Sequence, residues 1–350
     1  MRARHSLFLL LIIAVTITAS AKPVIYDSIP SHVKRVDFFK DDKPVNLVLN
    51  TDFKKLRAER KKGIYQNAKV TMQIPGYAAV TENVRLFARG EYRRTNCYMP
   101  AIMINFKNDS ARVLSGLKKV KLVCGCGTTA SDEQLILTEY LVYKMYNLLT
   151  DMSFRVRLAK VRYEDASGKL KPYTQYGFLI EDVDQMAKRS ECIEVQKRMY
   201  LTEQTNRYQM TMVALFQYMI GNTDWAVPNY HNIKLMRPKR DSLAMPYVVP
   251  YDFDYAGFVN AEYAIPAPEL GIEKVTDRMY RGFPRTLEEL QSVLQVFQNK
   301  KDSVMSLIKN FDLVRQKDRD IMARYIADFY SIIADKRSVQ YHFIDNARRN

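Results

Sequence analysis

The sequence predicts an α+β protein with a β-rich N-terminal part and a mainly helical C-terminal part. Short segments of alternating apolar and polar residues fill most of the chain before residue 181. One long segment among them, 133–150, instead repeats its apolar residues at helical spacing. After residue 181 such helical segments dominate. We therefore expect two domains, 22–180 and 181–350, that segregate strands and helices along the chain.

The predicted strands are rich in β-branched and aromatic residues, and Gly, Asn, Asp or Pro separates most of them. They cover 44–49, 68–74, 84–89, 101–106, 118–123, 155–163 and 173–180. A capping-box pattern, Ser131-Asp-Glu-Gln134, precedes the long helix. In the C-terminal part we expect a β-rich insert at 228–256 and helices at 182–199, 205–220, 286–309 and 314–335.

The N-terminus has the three parts of a secretory signal. Arg2 and Arg4 provide a positive start, 7–15 is an unbroken apolar run, and small residues occupy 19–21. The apolar run is shorter than the roughly 20 residues that a membrane span requires. We expect cleavage after Ala21 and a secreted or periplasmic protein without a membrane span; the alternative is a buried N-terminal helix.

The composition is that of a globular protein with a strong positive charge. The 350 residues are 47% hydrophobic and include only 12 Gly and 13 Pro, which excludes collagen-like and largely disordered chains. Lys and Arg number 54 against 38 Asp and Glu, a net charge of +16, or +14 without the two leader arginines. This balance favours acidic partners but does not choose among phosphates, nucleic acid and anionic surfaces.

The cysteines admit several pairings. An oxidising compartment would allow two disulfides, one disulfide or buried free thiols. A zinc site is disfavoured, because only three histidines follow the predicted leader. The four cysteines are Cys97, Cys124, Cys126 and Cys192.

The densest polar cluster of the sequence lies in the β-rich insert. Asp224 and an Asn precede one predicted strand, and about twenty residues after that Asn, Asp252 and Asp254 lie on one side of a second strand. A hairpin would bring these groups together. Phosphoryl transfer uses such a set, in which one Asp orients the nucleophile and hard oxygen ligands hold Mg²⁺.

This cluster resembles the catalytic centre of the CotH-type spore-coat protein kinases, an atypical branch of the kinase-like fold. The residues that match the family pattern directly are Gly221, Asn222, Asp224, Pro250, Asp252 and Asp254. Upstream, the segments 89–94, 116–122 and 177–184 resemble further parts of the family. The resemblance implies a two-lobed atypical protein-kinase-like fold and transfer of the ATP γ-phosphoryl group, with Mg²⁺, to Ser or Thr of an exported or surface protein.

The resemblance also implies roles in catalysis and metal binding. Asp224 would be the catalytic Asp that accepts the hydroxyl proton. Asp252 and Asp254 would bind Mg²⁺ together with an amide oxygen, for which we prefer Asn232 over Asn229 because a strand pattern follows Asn232 directly.

Three further residues would contact the nucleotide. Lys121 would bind the phosphates with Glu139 as its ion-pair partner, and Glu181 would lie at the hinge beside the adenine. The sequence departs from the family in three respects: strand 101–106 lacks lysine, no Gly-x-Gly-x-x-Gly loop is present, and Glu91 replaces an Asn. The alternatives are therefore nucleotidyl transfer, a secreted pseudokinase and a basic binding module without phosphoryl transfer.

Overall fold

Seven strands of the computed structural model form a closed barrel. They are β1 (Val45–Thr51), β2 (Gln66–Gln73), β3 (Val80–Arg89), β4 (Ala101–Phe106), β5 (Lys119–Val123), β6 (Val156–Asp165) and β7 (Tyr173–Ile180). Around the barrel the order is β1-β2-β3-β4-β5-β7-β6. The structure describes residues 37–106, 114, 117–196 and 199–348. The predicted leader and its cleavage site after Ala21 lie outside these residues.

Parallel pairing between β1 and β6 closes the barrel, whereas the other neighbouring strands pair antiparallel. In the register of the β1–β6 pair, Val45 lies opposite Ala159 and Leu47 lies opposite Val161, and all four side chains are buried. Buried residues alternate with more exposed ones along β1, β2 and β3, as the period of two requires. Closure leaves neither β1 nor β6 as an unpaired edge.

Helices follow the barrel and also interrupt it. Two short helices, α1 (Phe53–Ala58) and α2 (Glu91–Asn96), lie between strands, as does the long helix α3 (Ala130–Leu149). The remaining helices are α4 (Val183–Arg189), α5 (Arg207–Ile220), α6 (Leu287–Lys309), α7 (Gln316–Ala334) and α8 (Lys336–Val339), followed by a π-helical turn at Gln340–Asp345. None of the helices among the described residues combines the length and the apolar character that crossing a membrane would demand.

Helix α3 connects the barrel to the C-terminal helices. It packs against β7 on one side and α6 on another, and most of its side chains from Ile136 to Leu149 are buried. Its N-terminus is closed by a capping box between Thr129 and Asp132, two residues before the position that the sequence pattern indicates. One apolar cluster therefore extends from residues of β5, β6 and β7 through α3 into the C-terminal helices, and the buried residues of β1–β4 belong to a second cluster.

A small second sheet carries the β-rich insert. Its strands are β8 (Cys192–Val195), β9 (Ile233–Pro238) and β10 (Tyr247–Pro250), in the order β10-β9-β8. Strands β9 and β10 form an antiparallel hairpin in which Pro250 pairs with Ile233. The residues just before β9 and just after β10 therefore lie side by side.

Two sequence predictions about the fold are wrong, although the α+β class is correct. The two-lobed kinase-like fold is replaced by a closed seven-stranded barrel with helices, because β1 pairs with a strand more than a hundred residues away. The predicted helix 182–199 ends at Arg189, since Glu191 adopts a left-handed φ of 51° and Cys192–Val195 pairs with β9. A local pattern does not report either long-range pairing.

Candidate active site

The polar residues singled out in the insert line one cleft of about 470 Å³. Its lining residues come from the segments that follow α5 and β10, from the end of β3 and from α2, with single residues of β4 and β5. The charged and polar side chains that line it are Arg89, Glu91, Arg93, Asp224, His231, Asn232, Asp252 and Asp254. The fold therefore brings Asp224, Asn232, Asp252 and Asp254 together.

Asp224 is positioned by the tight turn that ends α5. Gly221 caps the helix in the left-handed conformation, with φ 64°. The buried Asn222 then accepts a hydrogen bond from the Asp224 backbone N–H at 2.9 Å, and its Nδ2 donates to Gln217 Oε1 at 3.0 Å. These bonds fix the backbone on which the Asp224 carboxylate stands.

The carboxylate of Asp224 is held by two neighbours. Its Oδ1 lies 2.6 Å from His231 Nε2, and its Oδ2 accepts a hydrogen bond from Asn232 Nδ2 at 2.9 Å. The same Asn232 nitrogen also donates to the Asp224 carbonyl. This bonding assigns the amide nitrogen of Asn232 to Asp224 and leaves its oxygen as the atom available to a cation.

Arg281 supports the same loop from a distant segment. Its Nη1 donates to the carbonyls of Thr223 and Trp225, the latter at 2.9 Å, and its guanidinium lies 5.5 Å from the centre of the Trp225 ring. Sequence reasoning missed this residue, because no local pattern links Arg281 to a loop more than fifty positions earlier.

Two site residues have strained backbones. Asn232 and Asp252 adopt left-handed φ values of 51° and 65°, which are unfavourable for residues other than Gly. The surrounding bonds maintain both: Tyr251 N–H donates to the Asn232 carbonyl at 3.0 Å, and Asp252 N–H donates to Tyr143 Oη at 2.9 Å. Conformations of this kind concentrate at functional sites.

A buried cluster of charges lies beside Asp254. Arg93 Nη2 is 3.6 Å from Glu139 Oε2 and 3.8 Å from Asp254 Oδ2, and Tyr263 Oη donates to Asp254 Oδ2 at 2.9 Å. Burial, together with the charge of Asp252, raises the pKa of Asp254 to about 6. Burial and the charge of Asp254 also raise the pKa of Glu139 well above its usual range.

The residues predicted to bind nucleotide are arranged differently from the expectation. Among the described residues Glu139 pairs with Arg93, and Lys121 forms no ion pair with it. The Lys121 ammonium instead lies 5.0 Å from the centre of the Tyr251 ring and 5.8 Å from that of Phe154. Burial, with the positive charges of Arg89 and Lys234, lowers the pKa of Lys121 to about 8.

Glu181 is part of a structural network. Its carboxylate accepts hydrogen bonds from Arg189 Nε and Nη2 at 3.1 and 2.9 Å and from the Arg155 backbone N–H at 3.1 Å. These bonds join the end of β7 to α4 and to the segment that leads into β6. These contacts tie the carboxylate to the protein scaffold.

The cysteines form one disulfide and two buried thiols. Cys97 bonds to Cys126, whereas Cys124 and Cys192 are free. The disulfide links the residue that follows α2 to the loop that precedes α3. It therefore lies next to the buried charges of Arg93, Glu139 and Asp254. This outcome lies within the alternatives that the sequence left open.

The donor set suits a hard divalent cation. Asp252, Asp254 and the Asn232 oxygen are the ligand types that Mg²⁺ prefers. Within the described part of the chain no group of three or more His, Cys, Asp or Glu is arranged to hold a metal ion. Comparison with known proteins found no family model that matches this chain and no matching curated protein.

We expect the substitution Gly221→Ala to destabilise the protein strongly. The φ of 64° costs a non-glycine residue about 1–2 kcal/mol, and an added Cβ would lie 2.1 Å from Tyr325 Oη. Gly271→Ala is the matched control, because Gly271 has φ 68° and nothing within 4 Å of the added carbon. Thermal unfolding should show a larger decrease in melting temperature for Gly221→Ala than for Gly271→Ala. Equal decreases would mean that the Tyr325 side chain moves aside at little cost in stability.

Proposed function

We propose that this protein is an exported enzyme that transfers the γ-phosphoryl group of ATP, with Mg²⁺, to a Ser or Thr hydroxyl of another exported or surface protein. The observation that carries the proposal is the convergence of Asp224, Asn232, Asp252 and Asp254 in one cleft that Arg89 and Arg93 also line. The proposal rests on this site and not on the fold, because one fold can support many activities.

Each side chain has a chemical task in this reaction. Asp224, oriented by His231 and Asn232, would accept the proton of the attacking hydroxyl. Asp252, Asp254 and the Asn232 oxygen would hold Mg²⁺, which when bound neutralises charge on the phosphates. Arg89 and Arg93, which line the same cleft, would contribute positive charge near these phosphates.

Two further observations support the proposal. The 221–254 segment resembles the CotH-type kinases at the residues that line the cleft. The Cys97–Cys126 disulfide agrees with an oxidising compartment outside the cytosol, as the N-terminal signal pattern also indicates. The net charge of +14 without the two leader arginines would favour an acidic protein substrate.

Binding without phosphoryl transfer is the second candidate, and one observation favours it. The Asp254 carboxylate already contacts Arg93 and Tyr263, and Lys121 lies against aromatic rings. A secreted pseudokinase would keep the cleft for a ligand and lack turnover.

Two assays on the mature protein test these functions. ATP with Mg²⁺ should raise the melting temperature, because ligand at a hundred times its Kd adds about 2.7 kcal/mol of stability; ATP with EDTA should raise it less. γ-Labelled ATP should then label a Ser- or Thr-containing acceptor or the protein itself. Transfer of label from α-labelled ATP would indicate nucleotidyl transfer. A thermal shift without transfer of label would favour the pseudokinase. The absence of both a thermal shift and label transfer would contradict phosphoryl transfer, nucleotidyl transfer and the pseudokinase alike.

A further inference from the structure

The side chain of Arg93 is unusual because it lies nearly buried at the edge of the cleft. Only 12% of the side chain is exposed, yet the residue lines the same cavity as Asp224, Asp252 and Asp254. Its Nη1 donates to the Cys124 carbonyl at 2.6 Å. A buried guanidinium requires compensating negative charge, and here Glu139 and Asp254 provide it.

The two charge contacts of Arg93 are long. Distances of 3.6 and 3.8 Å from Nη2 to Glu139 and Asp254 exceed a hydrogen bond. Glu139 Oε2 correspondingly has no hydrogen-bond partner. Nη2 itself has only these two long charge contacts within the described part of the chain, so its N–H groups are available to an acceptor that enters the cleft.

Asp254 places Arg93 next to the proposed metal position. The same carboxylate lies 3.8 Å from Arg93 Nη2 and belongs to the donor set for a divalent cation. A phosphate bound beside Asp254 would lie next to the guanidinium, whose planar donors suit phosphate oxygens. Burial by itself would lower the pKa of Arg93, but the charges of Glu139 and Asp254 outweigh it and keep the side chain charged.

The short helix that carries Arg93 is fastened to the protein. A six-residue helix such as α2 is not stable alone. The Cys97–Cys126 disulfide anchors its C-terminal end, and the bond from Arg93 to Cys124 joins it to the same loop. Arg60 also donates to the Cys97 carbonyl at 2.8 Å. These contacts fix the position of the guanidinium before any ligand binds, which lowers the cost of binding.

We propose that Arg93, paired with Glu139, is the phosphate-binding cation of this cleft, in the place that the sequence assigned to Lys121. The inference rests on the proposed function, because it takes the ligand to be a nucleoside di- or triphosphate. The ammonium of Lys121 lies over Tyr251 and Phe154, whereas Arg93 adjoins Asp254.

Calorimetric titration of the full mature chain with AMP, ADP and ATP, each with Mg²⁺, tests the inference. Arg93→Met should weaken ATP and ADP binding about 10- to 100-fold, the range for a charge-assisted hydrogen bond. AMP binding should change little, since it lacks the β- and γ-phosphates. Arg94→Met is the matched control, because Arg94 neighbours Arg93 on α2 and, among the described residues, its Nε donates to the Gly90 carbonyl alone. This variant should bind like the wild type.

Two results would overturn the inference. Either Arg93→Met binds ATP as tightly as the wild type, or Lys121→Met loses the di- and triphosphates while Arg93→Met keeps them. A wild type that binds none of the three nucleotides would overturn the proposed function as well, so the two failures are distinguishable. If Arg93→Met does not fold, the paired variant Arg93→Gln/Glu139→Gln removes both charges of the ion pair and should show the same selective loss.

Discussion

Replacing Asp224 with Ala should lower the rate of phosphoryl transfer by about 10²–10⁴-fold, the range that a positioned general base contributes. The carboxylate lies in the cleft, bonded to His231 Nε2 and Asn232 Nδ2. Its proposed partner is the acceptor hydroxyl and not the nucleotide. ATP–Mg²⁺ binding should therefore stay close to that of the wild type. Label transfer from γ-labelled ATP and calorimetric titration measure the two effects separately.

Two further variants sharpen this test. Asp224→Asn keeps the shape and removes the basic carboxylate, so it should be nearly as inactive as Asp224→Ala. Asp241→Ala is the control, because Asp241 is an exposed carboxylate whose Oδ1 accepts hydrogen bonds from the Leu243 and Ala244 backbone N–H groups. Full label transfer by Asp224→Ala would show that another residue accepts the proton.

Replacing Asp254 with Asn should stabilise the protein at pH 7.5 and weaken its Mg²⁺-dependent ATP binding. The folded-state pKa of Asp254 is about 6, above the value of 3.8 that applies to an unperturbed Asp. The folded state therefore binds this proton more tightly than the unfolded state does. The resulting stability is fully present below about pH 4 and is lost as the pH rises through 6.

The neutral amide avoids this loss, which gives the variant an advantage of about 1–3 kcal/mol above pH 7 that shrinks towards pH 4. Urea unfolding of both proteins between pH 4 and 8 measures the difference.

Asp165→Asn is a control in which the change in stability should have the opposite sign. Burial alone would raise the pKa of Asp165, but hydrogen bonds from Ser167, Phe53, Lys169 and Leu170 outweigh it and lower this pKa.

Asp165→Asn should therefore be less stable than the wild type at neutral pH, by a margin that shrinks as the pH falls. An Asp254→Asn variant that is less stable at pH 7.5 would contradict our account. That outcome would mean that the contacts of the carboxylate with Arg93 and Tyr263 stabilise the fold by more than burying its charge costs. The expected gain in stability together with a loss of binding would mark Asp254 as a residue placed for function.

The four cleft residues of the insert were predictable because their proximity is local. Asn232 precedes β9, and Asp252 and Asp254 follow β10. A hairpin between neighbouring strands brings these positions together whatever the rest of the fold does. Asp224 lies on the turn between α5 and the same hairpin, so its position in the chain was also sufficient. Their roles in catalysis and metal binding remain proposals.

The partners of the nucleotide-binding candidates were not predictable in this way. Glu139 lies on α3, and whether it meets Lys121 or Arg93 depends on the direction of one side chain on β5 and on the path of α2. That six-residue helix has too few turns to produce a periodic pattern, and a disulfide to a distant loop secures it. The scaffold role of Glu181 likewise depends on Arg189 and Arg155, which the fold brings to it.

The sequence by itself determined the α+β class, most strands and helices, and the grouping of Asp224, Asn232, Asp252 and Asp254. Each of these follows from periodicity or from contacts between segments close in the chain, where the entropy lost on closing a loop is small. Only the tertiary structure decided that β1 closes a barrel against β6, that Arg93 and not Lys121 faces Glu139, and that Cys97 pairs with Cys126. These contacts join segments that are distant in the chain, so no local pattern in the sequence records them.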